Sequence, residues 1–199
     1  GYPVGVPMVN IHTIGAGGGS IAYVDEGGLL QVGPESAGAS PGPACYGQGG
    51  QQATVTDANL LLGRIPPDIR FGDAFKPDVG RARAAISTLT KKLGLASDEE
   101  TAAGIIRIAN EHMAQALRVI SVERGIDPRG FSLMAFGGAG GLHVCELAEQ
   151  LGMTRAVVPD QSGVLSALGM LVAEPGRKLT QTLGSLLKET TEAEIESAL

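Results

Sequence analysis

The chain lacks any long run of lysine and arginine and carries a formal net charge of -6 at pH 7. Without a basic patch there is no electrostatic footprint for a nucleic-acid backbone or an anionic membrane, so neither partner is expected. No apolar stretch is long enough to span a bilayer, and the first residues lack the charged-then-apolar pattern of a signal peptide. The expected compartment is the cytoplasm. Cysteine is scarce: Cys45 and Cys145 are too few for a disulfide framework and far from Cys-x-x-Cys spacing, so both read as free thiols. Two phosphate-binding fingerprints are also missing. No Gly-Lys-Ser or Gly-Lys-Thr occurs, and Gly15-x-Gly17 is followed by Ser20 where a dinucleotide loop needs glycine.

Glycine is what the chain has in excess: 30 residues of 199, about twice the usual share, many of them clustered. A hydrophobic content of 43% is enough for a packed core in one domain or two small ones. The order of patterns predicts a β-rich run over Val9 to Ile14, a glycine turn, and a hairpin of Ser20 to Val24 with Leu29 to Val32. Residues 33 to 53, with Pro34, Pro41 and Pro43, read as a long structured loop. Thr56 is expected to cap a short helix over Asp57 to Leu62, Asp78 a helix over Val79 to Leu93, and Ser97 a central helix reaching Arg124. A strand over Phe131 to Phe136, a helix over Leu142 to Leu151, a strand over Arg155 to Val158 and a helix over Ser162 to Val172 complete the order.

Two glycine clusters sit where backbone N–H groups lie open to a ligand, so Gly17, Gly18, Gly19, Ser20, Gly137, Gly138, Ala139 and Gly140 are the expected nucleotide contacts. A hairpin-type loop combined with a separate strand-glycine-helix element is how actin-like and sugar-kinase ATPases divide a nucleotide. Tight turns in a glycine-rich protein are the alternative.

Several blocks carry a more specific resemblance. Ile11-His12-Thr13-Ile14-Gly15-Ala16-Gly17-Gly18-Gly19-Ser20-Ile21 is followed by Gly33-Pro34-Glu35-Ser36-Ala37-Gly38 and Pro41-Gly42-Pro43-Ala44-Cys45-Tyr46-Gly47. Thr54-Val55-Thr56-Asp57-Ala58-Asn59 and Phe136-Gly137-Gly138-Ala139-Gly140-Gly141-Leu142-His143 come next. In that order they resemble the hydantoinase A/5-oxoprolinase family, with Gly141 standing where the family usually has proline. The resemblance implies an α/β fold, half of an actin-like (ribonuclease H-like) ATPase with a mixed sheet, a β-hairpin and flanking helices. It implies that ATP phosphorylates the carbonyl oxygen of a small cyclic amide such as hydantoin or 5-oxoproline, and that a hydantoinase B-type subunit or domain completes hydrolysis. The acetone-type carboxylases share these motifs, and a nucleotide-binding assembly module without turnover is a further alternative.

His12, Asp57 and His143 each lie at an element's end in one of these blocks. The three are expected to converge on one site, as ligands of a divalent metal, magnesium, manganese or zinc, or as direct contacts to the transferring phosphate, with Asp57 and His143 also the catalytic candidates. The other possibility is that each histidine only hydrogen-bonds in the core. His112, mid-helix, reads as structural, and Cys45, with no base near it in sequence, as a structural or substrate-proximal thiol.

Both ends read as cut: Gly1 replaces an initiator methionine, and Thr191 with Glu194 forms a capping box for a helix that has barely begun. The expected division is residues 1–185 as the C-terminal part of an ATPase-like domain and 186–199 as the start of a following segment. The Asp-x-Gly-Gly-Thr type phosphate element that the resemblance implies for the family's N-terminal part does not occur in this chain.

Overall fold

In a computed structural model, the described residues are 11–70, 76–174 and 191. Strand β1 (Ser20–Val24) and strand β2 (Leu30–Ser36) form the antiparallel hairpin, with Ala22 opposite Val32 and Val24 opposite Leu30. Asp25 fixes its turn, one carboxylate oxygen accepting from the Leu29 N–H and the other from the Gln31 side-chain amide, both at 2.9 Å. Ala22 and Val32, opposite each other in the ladder, both enter the core.

Three helices pack beneath the hairpin: α1 (Val55–Leu61), α2 (Val79–Leu93) and α3 (Asp98–Ile120). Their starts follow local chemistry. Asp78 accepts from the Arg81 N–H and Ser97 from the Glu100 N–H, each at 3.1 Å, while Gly94 stops α2 at φ 66° in the left-handed region. Ala82, Ala85 and Ile86 of α2 and Ala102, Ile105, Ile106 and Ala109 of α3 are buried. Small residues on both faces let the helices approach closely, and each fully buried isoleucine contributes about 1.5–3 kcal/mol over an exposed one. Between them the Thr90 and Thr101 hydroxyls pair at 2.9 Å.

Strand β3 (Ser132–Met134), helix α4 (Val144–Gln150) and strand β4 (Arg155–Val157) form a parallel pair with a helical crossover, as parallel pairing requires. Helix α5 (Leu165–Val172) follows. No described helix is long and apolar enough to cross a membrane.

Several expectations need correction. Residues 11–14 form no strand, and positions 9 and 10 lie outside the described residues. Ile11 is 78% exposed, so that stretch lacks the burial its composition suggested. In place of one mixed sheet, the described residues form two separate two-stranded sheets, because the hairpin packs on α2 and α3 whereas β3 and β4 pack on α4. Thr54, not Thr56, caps α1: its hydroxyl accepts from the Asp57 N–H, and the Asp57 carboxylate accepts in return from the Thr54 N–H. Helix α3 ends at Ile120, and a short 3-10 turn, Val122–Arg124, carries the chain to Gly125 at φ 75°. The expected boundary at 185/186, and all of the terminal capping box but Thr191, fall outside the described residues.

Candidate functional site

The first glycine turn is built by its own side-chain hydroxyls. Ser20 Oγ accepts from the Gly17 N–H at 2.9 Å and faces Gly15 O at 3.4 Å, so this buried hydroxyl is occupied in shaping the loop. Gly18 O accepts twice from Thr56, from its N–H and its hydroxyl, both at 2.8 Å, which ties the loop to the first turn of α1. The second turn leaves β3 through Gly137, whose φ of 93° is open to glycine far more readily than to other residues. It reaches α4 by the 3-10 turn Gly140–Leu142.

The two turns meet. A Cβ placed on Gly18 would lie 3.5 Å from the Ala139 Cβ, across more than a hundred residues of sequence. A cavity opens on each side of that contact. One, of about 310 Å³, is lined by Gly18, Gly19, Gly138 and Ala139 together with Thr56 and Asn59. The other, of about 350 Å³, is lined by Ala16, Gly17, Ala139, Gly140 and His143 with apolar walls from Leu133, Leu147 and their neighbours.

The spacing around the glycines separates packing from ligand access. A Cβ at Gly18 would come within 2.8 Å of Thr56 Oγ1 and one at Gly19 within 2.7 Å of Ser36 Oγ, so these two are held by close approach. Gly17 and Gly138 have nothing within 4 Å in the Cβ direction. Internal packing does not require glycine at either, whereas a ligand lying flat against the backbone would.

His143 is 2% exposed and lines the second cavity. Its Nδ1 lies 2.7 Å from Asn110 Oδ1, and the Asn110 amide nitrogen donates to Glu146 Oε2, whose other oxygen pairs with Arg64 at 2.5 Å. A carboxylate only accepts, so Asn110 must turn its NH₂ to Glu146 and its oxygen to the imidazole. The Nδ1 therefore carries the proton and Nε2 keeps a lone pair, which has no partner among the described residues. Burial, and secondarily the Arg64 charge, hold the His143 pKa below its ordinary 6.5, so the ring is neutral at pH 7.

Asp57 is fully buried and its oxygens are engaged elsewhere than expected. Oδ1 accepts from the Cys45 N–H at 2.8 Å; Oδ2 accepts from the Thr54 N–H at 2.9 Å, the Thr54 hydroxyl at 2.7 Å and the Ala44 N–H at 3.2 Å. The carboxylate anchors the 3-10 turn Ala44–Tyr46 to α1. Beside it, burial and then the Asp57 charge push the Cys45 thiol far up, which removes thiolate reactivity.

The expected gathering of His12, Asp57 and His143 on one metal is not found: among the described residues no three His, Cys, Asp or Glu side chains come together as a metal site. His12 is exposed and faces a different cavity of about 480 Å³, shared with His112. Asp57 is engaged by three backbone N–H groups and the Thr54 hydroxyl. Asn59, Asn110, Glu146 and Arg64 had no part in the site as read from sequence. The signals available were Asn59, which closes the Thr54 to Asn59 block, and Asn110, a polar residue beside the apolar stripe of α3.

Comparison with known proteins gives the family and the fold. The family model described as hydantoinase/oxoprolinase matches residues 1–178. The caprolactamase alpha subunit of Pseudomonas jessenii is 47% identical over 174 residues, covering 87% of this chain and 25% of that protein. The crystal structure of the ATP-dependent caprolactamase from that organism superposes at TM-score 0.77 over 85% of this chain and 24% of the other. A 5-oxoprolinase of Dictyostelium discoideum is 41% identical over 189 residues, 87% of this chain and 15% of that protein. The nucleotide-free structure of acetone carboxylase superposes at TM-score 0.73 and 30% identity, over 92% of this chain and 26% of the other. The chain thus spans about a quarter or less of these relatives. Matched along most of its length by one family model, this α/β chain belongs to the hydantoinase/oxoprolinase family.

Proposed function

We propose that this chain supplies one wall of an ATP site in an enzyme that activates a small cyclic amide for hydrolysis. The observation that carries the reading is the meeting of the two glycine turns at Gly18 and Ala139, with Gly17 and Gly138 open on their ligand sides. A nucleotide fits such a cleft because adjacent backbone N–H groups without Cβ obstruction favour phosphate oxygens and close approach. Gly17, Gly18 and Gly19 would hold it from one side and Gly137, Gly138, Ala139 and Gly140 from the other. Ser20 would act indirectly, by shaping the first loop.

An amide carbonyl is a poor electrophile, and bound ATP supplies the phosphoryl group that turns its oxygen into a leaving group. His143 enters this reading as a neutral residue with Nε2 free to accept a proton or a hydrogen bond. Asp57 enters as the anchor of the loop at Ala44 and Cys45. Among the described residues no three His, Cys, Asp or Glu side chains converge, so no residue here is named as a metal ligand.

The cyclic-amide reading is favoured over a ketone carboxylase by similarity: the caprolactamase is 47% identical and the acetone carboxylase 30%. A hydantoinase B-type partner is part of the proposal. The test is ADP release by the full-length protein with that partner, across lactams, hydantoin, 5-oxoproline and acetone. Amide-stimulated release supports the reading. Release stimulated by acetone with bicarbonate, and not by amides, would transfer it to the carboxylase branch, and unstimulated binding without turnover would leave an assembly module.

A further inference from the structure

Asn59 lies in α1 and is 1% exposed, in the wall of the cavity where Gly18 and Gly19 face Gly138 and Ala139. Its Nδ2 donates to the Val55 carbonyl one turn earlier at 3.0 Å. That bond fixes the amide, since the flipped orientation would set two acceptors against each other. Its Oδ1 is left buried with no partner among the described residues. The neighbouring Thr56 hydroxyl cannot serve it, because that proton goes to Gly18 O.

An acceptor whose own donor is tied off discriminates between the two halves of a nucleotide. Phosphate oxygens are also acceptors and would be repelled. A sugar hydroxyl or an exocyclic amine donates, and would satisfy the buried oxygen.

We propose that Asn59 Oδ1 receives a hydroxyl or amino donor of the nucleoside, so that this cavity takes the sugar or base while the phosphates run along the open backbone at Gly17. The proposal rests on the nucleotide reading above and adds to it which end of the ligand lies where. Ribose hydroxyls and the adenine amine share the donor chemistry, and the experiment separates them.

Calorimetric titration of the full-length protein with ATP, 2′-deoxy-ATP, 3′-deoxy-ATP and purine riboside triphosphate gives the first arm. One analogue, the one lacking the donor, should bind about tenfold more weakly than ATP to the unaltered protein. Asn59→Leu, with Asn59→Ala as a smaller second variant, should weaken ATP by about the same factor and show no further loss with that analogue. Inorganic pyrophosphate should bind the variants as well as it binds the unaltered protein, which a merely misfolded variant would not do. Equal affinity of the unaltered protein for all four nucleotides overturns the proposal while leaving the nucleotide site in place. So does a variant that keeps the full preference, or one that loses pyrophosphate in step with ATP. Absence of any ATP binding by the unaltered protein is the distinct result that removes the nucleotide reading itself, and the Asn59 proposal with it.

Discussion

Asp57 Oδ1 accepts the Cys45 N–H at 2.8 Å, and this bond joins the long loop after β2 to the start of α1. In the segment after β2, Ala44, Cys45 and Ala53 are buried in the core, and the Asp57 carboxylate holds it through the Ala44 and Cys45 backbone. Asp57→Ala leaves these buried donors unsatisfied, so we expect a loss of about 3–5 kcal/mol in stability. Chemical denaturation of the full-length protein measures it. A variant of unchanged stability that has lost turnover would return Asp57 to the catalytic role its sequence position suggested.

Cys45 is enclosed with its thiol pushed far above the usual range, whereas Cys145 on α4 is exposed. We expect alkylation of the native protein at pH 8 to label Cys145 and spare Cys45, with Cys45 reacting only on denaturation. Peptide mapping distinguishes them, and rapid native labelling of Cys45 would contradict the buried loop.

His143 gives the protein a pH dependence of defined sign. Its folded pKa is depressed below 6.5, so as pH falls through that value the unfolded chain takes up a proton that the folded imidazole does not. Stability is therefore lost as pH drops below about 6.5 towards the folded pKa, and is fully present above it. The slope of stability against pH in that window should be shallower in His143→Gln. An unchanged slope would mean that His143 does not titrate as its burial between Asn110 and Arg64 requires.

How much of this was legible depended on whether the signal was local. Asp78, Ser97 and Gly94 marked helix limits well, because a cap needs only its own turn. The Thr54 cap was missed since Thr56 two residues later offers the same chemistry, and only the contact with Gly18 O shows where Thr56 is committed. The two glycine turns were visible as separate clusters. Their contact, and the Arg64–Glu146–Asn110–His143 chain of bonds, join residues dozens of positions apart that carry no pairing signal in one sequence. The expected gathering of His12, Asp57 and His143 had only their shared position at element ends behind it, and the fold engages the Asp57 carboxylate with backbone N–H groups and the Thr54 hydroxyl.

Glycine positions separate along the same line. A Cβ at Gly50 would run into the Gly42 carbonyl oxygen, so Gly50→Ala should destabilise the protein or displace the loop. A cost of about 1–3 kcal/mol is expected for such overpacking, read as a lowered Tm. An unchanged Tm would show the loop to be looser than its contacts indicate.

The central claim is that a nucleotide lies against both glycine turns, and Gly138 tests it most directly. Its Cβ direction is open for 4 Å, so Gly138→Ala and Gly138→Val are compatible with the fold and should leave Tm within a few degrees of the unaltered protein. ATP affinity of the full-length protein, measured by calorimetry, should fall by tenfold or more in Gly138→Val, with Gly138→Ala intermediate, because the added methyl groups occupy the ligand's place. A stable Gly138→Val variant that binds ATP as tightly as the unaltered protein would contradict the account.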